Sequence, residues 1–343
     1  MCNRFKFLDK GSVHMINVAI LGAGNIAAKM SKTLAGMTAK GNDGVSLYAV
    51  AARDGERALQ FAREYGFEKA YGSYGEMLRD PDVDLVYVAT PHAFHYAHMQ
   101  LCLMHGKHVL CEKPFTVNAR QAEEITALAR GKGLYAAEAI WTRYLPSRRM
   151  IDKLIVDSVI GKPCMVTANL AFLLSHIERM WKPELAGGAL LDLGVYPLNF
   201  ASMVLGDEIV EIQTTARMMD TGVDLQEAIT LTYAGGEMAV VCAAMNCAGD
   251  CRGVVYGTKG TLSTDTILNP KVITVTRHDK PGEVRTYYAP DQITGFEYEV
   301  QAAVDAIEAG QVESKQMPHA ETVRMMQVMD ELRAQWGLKY PFE

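Results

Sequence analysis

Two stretches near the start of the chain hold residues whose types and spacing could bind a nucleotide. Gly22-Ala23-Gly24-Asn25-Ile26-Ala27 has the form G-x-G-x-x-A and lies between a β-rich run, Ile16 to Leu21, and a helical pattern beginning at Gly24. In that context Gly22 permits a tight turn, Gly24 lets the backbone approach a pyrophosphate, and Ala27 lets the helix pack closely on the sheet. Asn25 and Ile26 open the helix, where the first N–H groups are free to face phosphate oxygens. The end of the next strand reads Ala51-Ala52-Arg53, without the Asp or Glu that would bind a ribose 2′-hydroxyl. Arg53 suits a 2′-phosphate and the face of an adenine, so NADP is favoured over NAD; a solvated arginine closing a strand is the plainer alternative. Asp54 follows directly and keeps dual NADP and NAD specificity open.

Two further loops carry reactive side chains at strand ends, where open α/β sheets collect their ligands. Thr90-Pro91-His92-Ala93-Phe94-His95 follows the fourth strand, and Glu112-Lys113-Pro114 follows the fifth. Pro114 biases Lys113 toward extended backbone, from which its ammonium would point to the nicotinamide end of the cofactor. Taken alone, Glu-Lys-Pro reads more readily as an ordinary charged strand exit.

The elements that must position these loops are legible in the hydrophobic pattern. Over residues 15–140, β-rich runs (16–21, 45–52, 84–90, 107–112, 134–140) alternate with helical patterns (24–37, 56–65, 93–105, 118–130), as in a parallel sheet covered on both faces. Ser73-Tyr74-Gly75-Glu76 has the form of a capping box before a short helix at Met77. After a helix over 147–156 the pattern changes to successive β-rich stretches at 162–174, 208–219, 224–233, 237–247, 252–256, 271–276 and 284–288, mostly alternating apolar with polar. Helices return at 296–309 and 319–336. The expected fold is therefore an N-terminal α/β Rossmann domain with a parallel, doubly wound sheet over 15–140. A C-terminal α+β domain with a large, mainly antiparallel open sheet follows over 141–343, its last helix packing back on the first domain.

Composition agrees. At 343 residues the chain is longer than one core usually grows, and 49% hydrophobic with 22% charged residues can bury a sizeable core. Lys plus Arg number 34 against 40 Asp plus Glu, a net charge of -6, which argues against a general nucleic-acid or anionic-membrane binder. Apolar stretches such as 83–89 and 238–244 end well short of a bilayer span, so no transmembrane helix is expected. Residues 1–14 lack a long apolar core and a small-residue cleavage site and read as an extension, with Met15 an alternative start. Seven scattered cysteines read as reduced thiols and predict a cytoplasmic protein. Neither His92, His95 and His98 nor Cys242, Cys247 and Cys251 has the spacing of a structural zinc site, so no metal is expected.

Together with Gly187-Gly188-Ala189-Leu190-Leu191-Asp192-Leu193-Gly194-Val195-Tyr196-Pro197, these motifs resemble the Gfo/Idh/MocA oxidoreductase family, from about Met15 to the C-terminus. Glu138-Ala139-Ile140-Trp141-Thr142-Arg143-Tyr144-Leu145-Pro146 and Tyr196 resemble the branch containing dimeric dihydrodiol dehydrogenase, D-xylose dehydrogenase and glucose-fructose oxidoreductase. Many other members, including inositol dehydrogenases, carry His where this chain has Tyr196.

The resemblance implies that Lys113 and Tyr196 work on a substrate hydroxyl or carbonyl with Asp192 nearby, Asp192 either orienting the substrate or holding Lys113. Asp192 and Tyr196, four apart on a helix opening after Gly187-Gly188, face one direction. A tyrosine of pKa ~10 is a poor base at neutral pH, and the Lys113 ammonium is expected to lower that value. His95 either touches the nicotinamide or substrate, as the family pattern suggests, or begins the next helix with its ring satisfied by backbone. Trp141, Arg143 and Tyr144 either line the substrate cleft or pack between the domains; Phe172 and Arg179 are lesser pocket candidates. The expected activity is NAD(P)-dependent hydride transfer at a sugar or vicinal-diol carbon. The alternatives are a non-catalytic NADP-binding sensor and a glycosidase-like enzyme that uses NAD transiently. The resemblance also implies a homo-oligomer, a dimer or a dimer of dimers, formed through the broad sheet of the second domain.

Overall fold

The computed structural model describes residues 15–42 and 44–343, so the N-terminal extension lies outside the described residues. Strand β1 (Ile16–Leu21) is apolar at nearly every position because both its faces are covered. The alternation continues through α1 (Asn25–Ala39), β2 (Val45–Ala51), α2 (Gly55–Tyr65), β3 (Lys69–Tyr71), α3 (Tyr74–Arg79) and β4 (Leu85–Val88). It closes with α4 (His95–Met104), β5 (His108–Glu112), α5 (Ala119–Lys132) and β6 (Ala136–Ala139). All six strands are parallel, in the order β3-β2-β1-β4-β5-β6. Strand order reverses between β1 and β4, which opens a crevice at their carboxyl ends. The Ser73 hydroxyl accepts from Glu76 N at 3.3 Å, the first half of the expected capping box at α3.

The second half comprises α6 (Pro146–Val156), β7 (Pro163–Ala171), α7 (Glu178–Trp181), α8 (Val195–Leu205), β8 (Ile209–Met218), β9 (Asp224–Tyr233) and β10 (Met238–Ala244). It continues with β11 (Gly253–Gly257), β12 (Gly260–Thr264), β13 (Val272–Arg277), β14 (Val284–Tyr288), α9 (Glu297–Glu308) and α10 (His319–Trp336). One eight-stranded sheet runs β14-β13-β12-β11-β7-β10-β9-β8, antiparallel except for the parallel β7–β10 pair. Its strands alternate as one-sided strands must: in β10, Ala239, Val241 and Ala243 are buried while Met238, Val240 and Cys242 are exposed. Helix α8 lies on the buried face against β7 and β10. The segment Pro183–Leu205 is apolar and long enough to cross a bilayer, a stretch the sequence reading passed over, but 78% of its most apolar window is buried inside the protein. That burial makes it the heart of the second domain's core.

Two strands escaped the hydrophobic pattern. β3 is three residues long, and β12 (GTLST) carries one large apolar side chain, so neither has enough period to see. The last two helices return to the first domain. Phe296, Val300, Ala303 and Val304 at and within α9 join the core formed by β1 and α1, and α10 packs on α5 as well as β8.

Candidate active site

The glycine loop is built to receive a phosphate group. Gly22 sits at φ +113°, and a Cβ there would come within 2.8 Å of Ala89 O at the end of β4. Gly24 is extended, and a Cβ on it would meet nothing within 4 Å, so the space above the backbone is open. Among the described residues, α1 has neither a side-chain cap nor an acidic first turn, which leaves its positive end available to an anion. Asn25 is exposed and Ile26 half-buried at that turn. Arg57, which sequence reasoning missed, donates from Nε (3.2 Å) and Nη2 (2.7 Å) to Ala23 O and braces the loop. Its only signal was its place one turn beyond Arg53.

Arg53 is exposed just past β2. Arg53 and Arg57 both act on the phenol of Tyr74, whose pKa burial raises and the two guanidinium groups lower. Asp54 is committed elsewhere: its carboxylate caps α2, accepting from Glu56 N (2.9 Å) and Arg57 N (3.3 Å). These residues fit a phosphate-bearing adenosine better than a bare ribose hydroxyl.

The other two loops are tied to each other. Pro91 leads into a short 3₁₀ turn, His92–Phe94, and the Lys113–Pro114 peptide is cis. His95 is fully buried, with Nε2 2.7 Å from Thr90 O and Nδ1 2.8 Å from Pro114 O. Both ring nitrogens meet backbone carbonyls, the second of the two readings of His95, and the ring buckles the two loops together. Glu112 is held internally. Its buried carboxylate accepts from the Tyr87 hydroxyl and from Lys113 N (3.3 Å), so the side chain is an internal strut. Burial raises its pKa.

From that strut Lys113 reaches into the second domain. Its Nζ donates to Asp192 O (2.7 Å) and Oδ1 (3.0 Å) and lies 5.1 Å from the centroid of the Tyr196 ring. Side-chain exposure at the pair is 13% for Lys113 and 8% for Asp192, so the ion pair is largely screened from water. Arg179 donates to both oxygens of Asp192 at 3.2–3.3 Å. His92, set aside in the sequence as part of a non-metal histidine row, places Nε2 3.5 Å from Asp192 Oδ1. Burial opposes ionisation of Asp192, but Lys113 and Arg179 outweigh it and hold the carboxyl below its usual range. Burial pushes the His92 pKa well down, keeping the imidazole neutral.

Asp192 and Tyr196 share a face as expected, though not on a plain α-helix. Leu190–Gly194 form one wide π turn that runs directly into α8. The turn is seated by Asp224 on β9, whose buried carboxylate accepts from Leu190 N at 2.5 Å. Gly188, at φ +116°, would place a Cβ 2.1 Å from Asp224 Oδ1. Gly188→Ala is therefore expected to destabilise the protein by about 2–4 kcal/mol through backbone strain plus overlap, read as a lower urea midpoint. An unchanged midpoint would show that the turn has room to adjust. Asp224 gave no signal in sequence, where it simply opens a strand.

The phenol of Tyr196 behaves opposite to expectation. Burial first, then the carboxylates of Glu112 and Asp192, raise its pKa well above the ordinary value, while the Trp141 side chain works the other way. The Lys113 ammonium faces the ring and is hydrogen-bonded to Asp192, so at neutral pH Tyr196 is a protonated donor.

Of the cleft candidates, Trp141 stacks on Phe296 (4.6 Å, 4° between planes) beside Tyr196. Arg143 makes the packing contacts of its second reading. Its Nε donates to Asn199 Oδ1 at 2.6 Å, and its guanidinium reaches Ser202 (3.3 Å) and Glu321, joining α8 to α10. Tyr144 is likewise interior, fully buried with its hydroxyl on Glu138 O at 2.9 Å. Phe172 packs against the core beyond the end of β7. The structure thus gathers Lys113, Asp192, Tyr196, Arg179, His92 and Trp141, and moves His95, Arg143 and Tyr144 into supporting roles.

Residues 16–139 match the Gfo/Idh/MocA oxidoreductase family with its NAD-binding Rossmann fold, and residues 149–263 match the Gfo/Idh/MocA C-terminal domain. The chain belongs to this family and is an NAD(P)-dependent oxidoreductase. It is 34% identical over 333 residues to the trans-1,2-dihydrobenzene-1,2-diol dehydrogenase of Mus musculus, covering 94% of this chain and 97% of the relative. To the Homo sapiens protein of the same name it is 35% identical over 302 residues, covering 85% and 89%. Its fold is similar to that of KijD10, a 3-ketoreductase from Actinomadura kijaniata in complex with NADP and TDP-benzene, with a TM-score of 0.84, 27% identity, and coverage of 94% of this chain and 98% of that one.

Proposed function

We propose that this protein is an NADP-preferring oxidoreductase acting at the carbinol or carbonyl carbon of a sugar or vicinal diol. In this reading Tyr196 exchanges the proton at the substrate oxygen and Lys113 steadies the charge there. The observation that carries it is the meeting of Lys113, from the end of β5, with Asp192 and Tyr196, from the start of α8. When bound, the nicotinamide supplies or accepts the hydride. The protein's part is to hold an oxygen beside Tyr196, whose phenol donates the proton in reduction and whose phenolate accepts it in oxidation, and beside the Lys113 ammonium. Asp192, ionised and triply flanked, keeps Lys113 extended toward that oxygen. Trp141 on Phe296 offers a flat apolar wall suited to a sugar face or an aromatic diol.

The relatives named for a dihydrodiol support the diol reading, and the 3-ketoreductase supports the sugar reading. The test is stoichiometric formation or loss of reduced nicotinamide with a panel of aldoses and dihydrodiols. Turnover of a neutral polyol or diol is expected; tight NADP binding without turnover of any of them would overturn the enzyme in favour of a sensor.

For the cofactor, Arg53→Ala is expected to weaken NADP by about tenfold to a hundredfold, the loss of a charge-assisted pair, while NAD changes little. Parallel titration of both dinucleotides checks this, and equal losses would remove Arg53 as the phosphate reader. What supports self-association is the outward face of the second sheet, where Met165 on β7 lies beside Met238 on β10 with Val240 next along, all exposed.

A further inference from the structure

Two cations meet at Asp192, with the Glu112 carboxylate also acting on Lys113 from the first domain. One carboxylate receives both the Lys113 ammonium and the Arg179 guanidinium, and the neutral His92 adds no negative charge to balance them. The two cations differ in access: Asp192 and Lys113 are nearly enclosed, whereas the Arg179 side chain is 42% exposed. Arg179 sits on α7, in the segment that runs from β7 toward the π turn. Its bonds to Asp192 come from Nη1 and Nη2 alone, so the Nε–H and one Nη1–H have no acceptor among the described residues. Neighbouring acids do not absorb that charge, since Glu178 on the same helix is paired with Lys182. An arginine anchored by one carboxylate, partly exposed and with N–H groups left over beside the reacting groups, can bind a second carboxylate.

Resting on the oxidoreductase reading above, we infer that Arg179 determines specificity at this site and selects sugar acids, polyhydroxy substrates that carry a carboxylate, over their neutral counterparts. Lys113 and Tyr196 would hold the reacting oxygen while Arg179 binds the substrate's carboxylate through its uncommitted N–H groups. Asp192 lies between the two cations and fixes their separation, so the site measures the distance from the reacting carbinol to the acid. A neutral substrate is still accepted, because the oxygen-binding pair does not depend on this contact.

The test uses pairs that differ only in charge, a hexuronate such as D-glucuronate against D-glucuronamide, on the NADP-loaded protein. Two readouts are taken, kcat/KM by nicotinamide absorbance and affinity by isothermal titration. The acid is expected to be preferred by about tenfold to a hundredfold, as for one charge-assisted hydrogen-bonded pair. Arg179→Gln should abolish the preference, and Arg179→Lys should restore part of it. Arg179→Gln also loosens Asp192, which slows acid and amide alike, so the acid-to-amide ratio is the quantity that decides. Equal affinity for acid and amide in the parent protein, a preference that survives Arg179→Gln, or binding of neither compound would overturn the inference. Carboxylate-selective binding lost in Arg179→Gln without turnover of any compound would uphold the inference and sink the oxidoreductase assignment of the site. Turnover of neutral sugars or diols with no acid preference would do the reverse.

Discussion

Tyr196→Phe is expected to lower kcat by about 10²- to 10⁴-fold, the usual worth of a positioned acid–base group. Affinity for NADPH should stay within about twofold, because the hydroxyl removed acts on the reacting oxygen and the Trp141 side chain. The substitution deletes one oxygen and keeps the ring that Lys113 faces, so the fold around the π turn should be untouched. The pH dependence has a sign set by the surroundings. Burial, Glu112 and Asp192 raise the phenol's pKa, so the proton-donating form persists through neutral and mildly alkaline pH. Reduction should therefore run on a plateau that falls only above the ordinary tyrosine range, while oxidation, which needs the ionised phenolate to accept the proton, should climb with pH across the same interval. A Tyr196→Phe variant with parental kcat would remove the phenol from the chemistry.

The second large effect is Lys113→Met, with an expected kcat loss of about 10²- to 10⁴-fold and a separate cost in stability. Methionine keeps the length of the chain but leaves Asp192 with one cation where it had two. Removing one partner from a buried pair costs about 3–5 kcal/mol when the remaining charge is left uncompensated. Here Arg179 still holds both oxygens of Asp192, so the loss should fall nearer about 1–2 kcal/mol at neutral pH. The sign follows from the carboxyl's lowered pKa. Its stabilising contribution is present above the unfolded-state value and disappears as pH falls through the folded one, so parent and variant should converge in stability toward strong acid. Urea denaturation at neutral and acid pH checks the stability arm, and steady-state turnover checks the catalytic arm. A variant as active as the parent would show that the ammonium serves only to pair with Asp192.

The parts of the fold and site legible in the sequence are those encoded by local spacing. Gly22, Gly24 and Ala27 announce the phosphate loop because the turn, the close approach and the helix packing all fall within six residues. Parallel strands buried on both faces read as apolar runs, and the one-sided strands of the second sheet read as alternation, so all strands but β3 and β12 could be placed before any coordinates. What the spacing concealed depends on partners distant in the chain. Arg143 looks like a cleft residue until Glu321, 178 positions away, is seen to hold it. His95 leaves two readings open until carbonyls from two different loops are found on its two nitrogens. The rise in the Tyr196 pKa was also out of reach, because it comes from burial and from Glu112, a residue of the other domain's sheet. Asp224 and Arg57 act through backbone atoms of loops they support, and only Arg57's place one turn beyond Arg53 marks either of them.

The central claim is that Lys113 and Tyr196 act as a unit on one substrate oxygen. A double-mutant cycle in kcat tests it most directly, with the parent, Tyr196→Phe, Lys113→Met and the double variant measured on one substrate with saturating NADP. Groups that serve a single oxygen are strongly non-additive, so the double variant is predicted to be about as slow as the slower single one. Losses that multiply, giving a double variant slower than either by the full factor of the other, would mean that the two side chains act independently and would contradict the account.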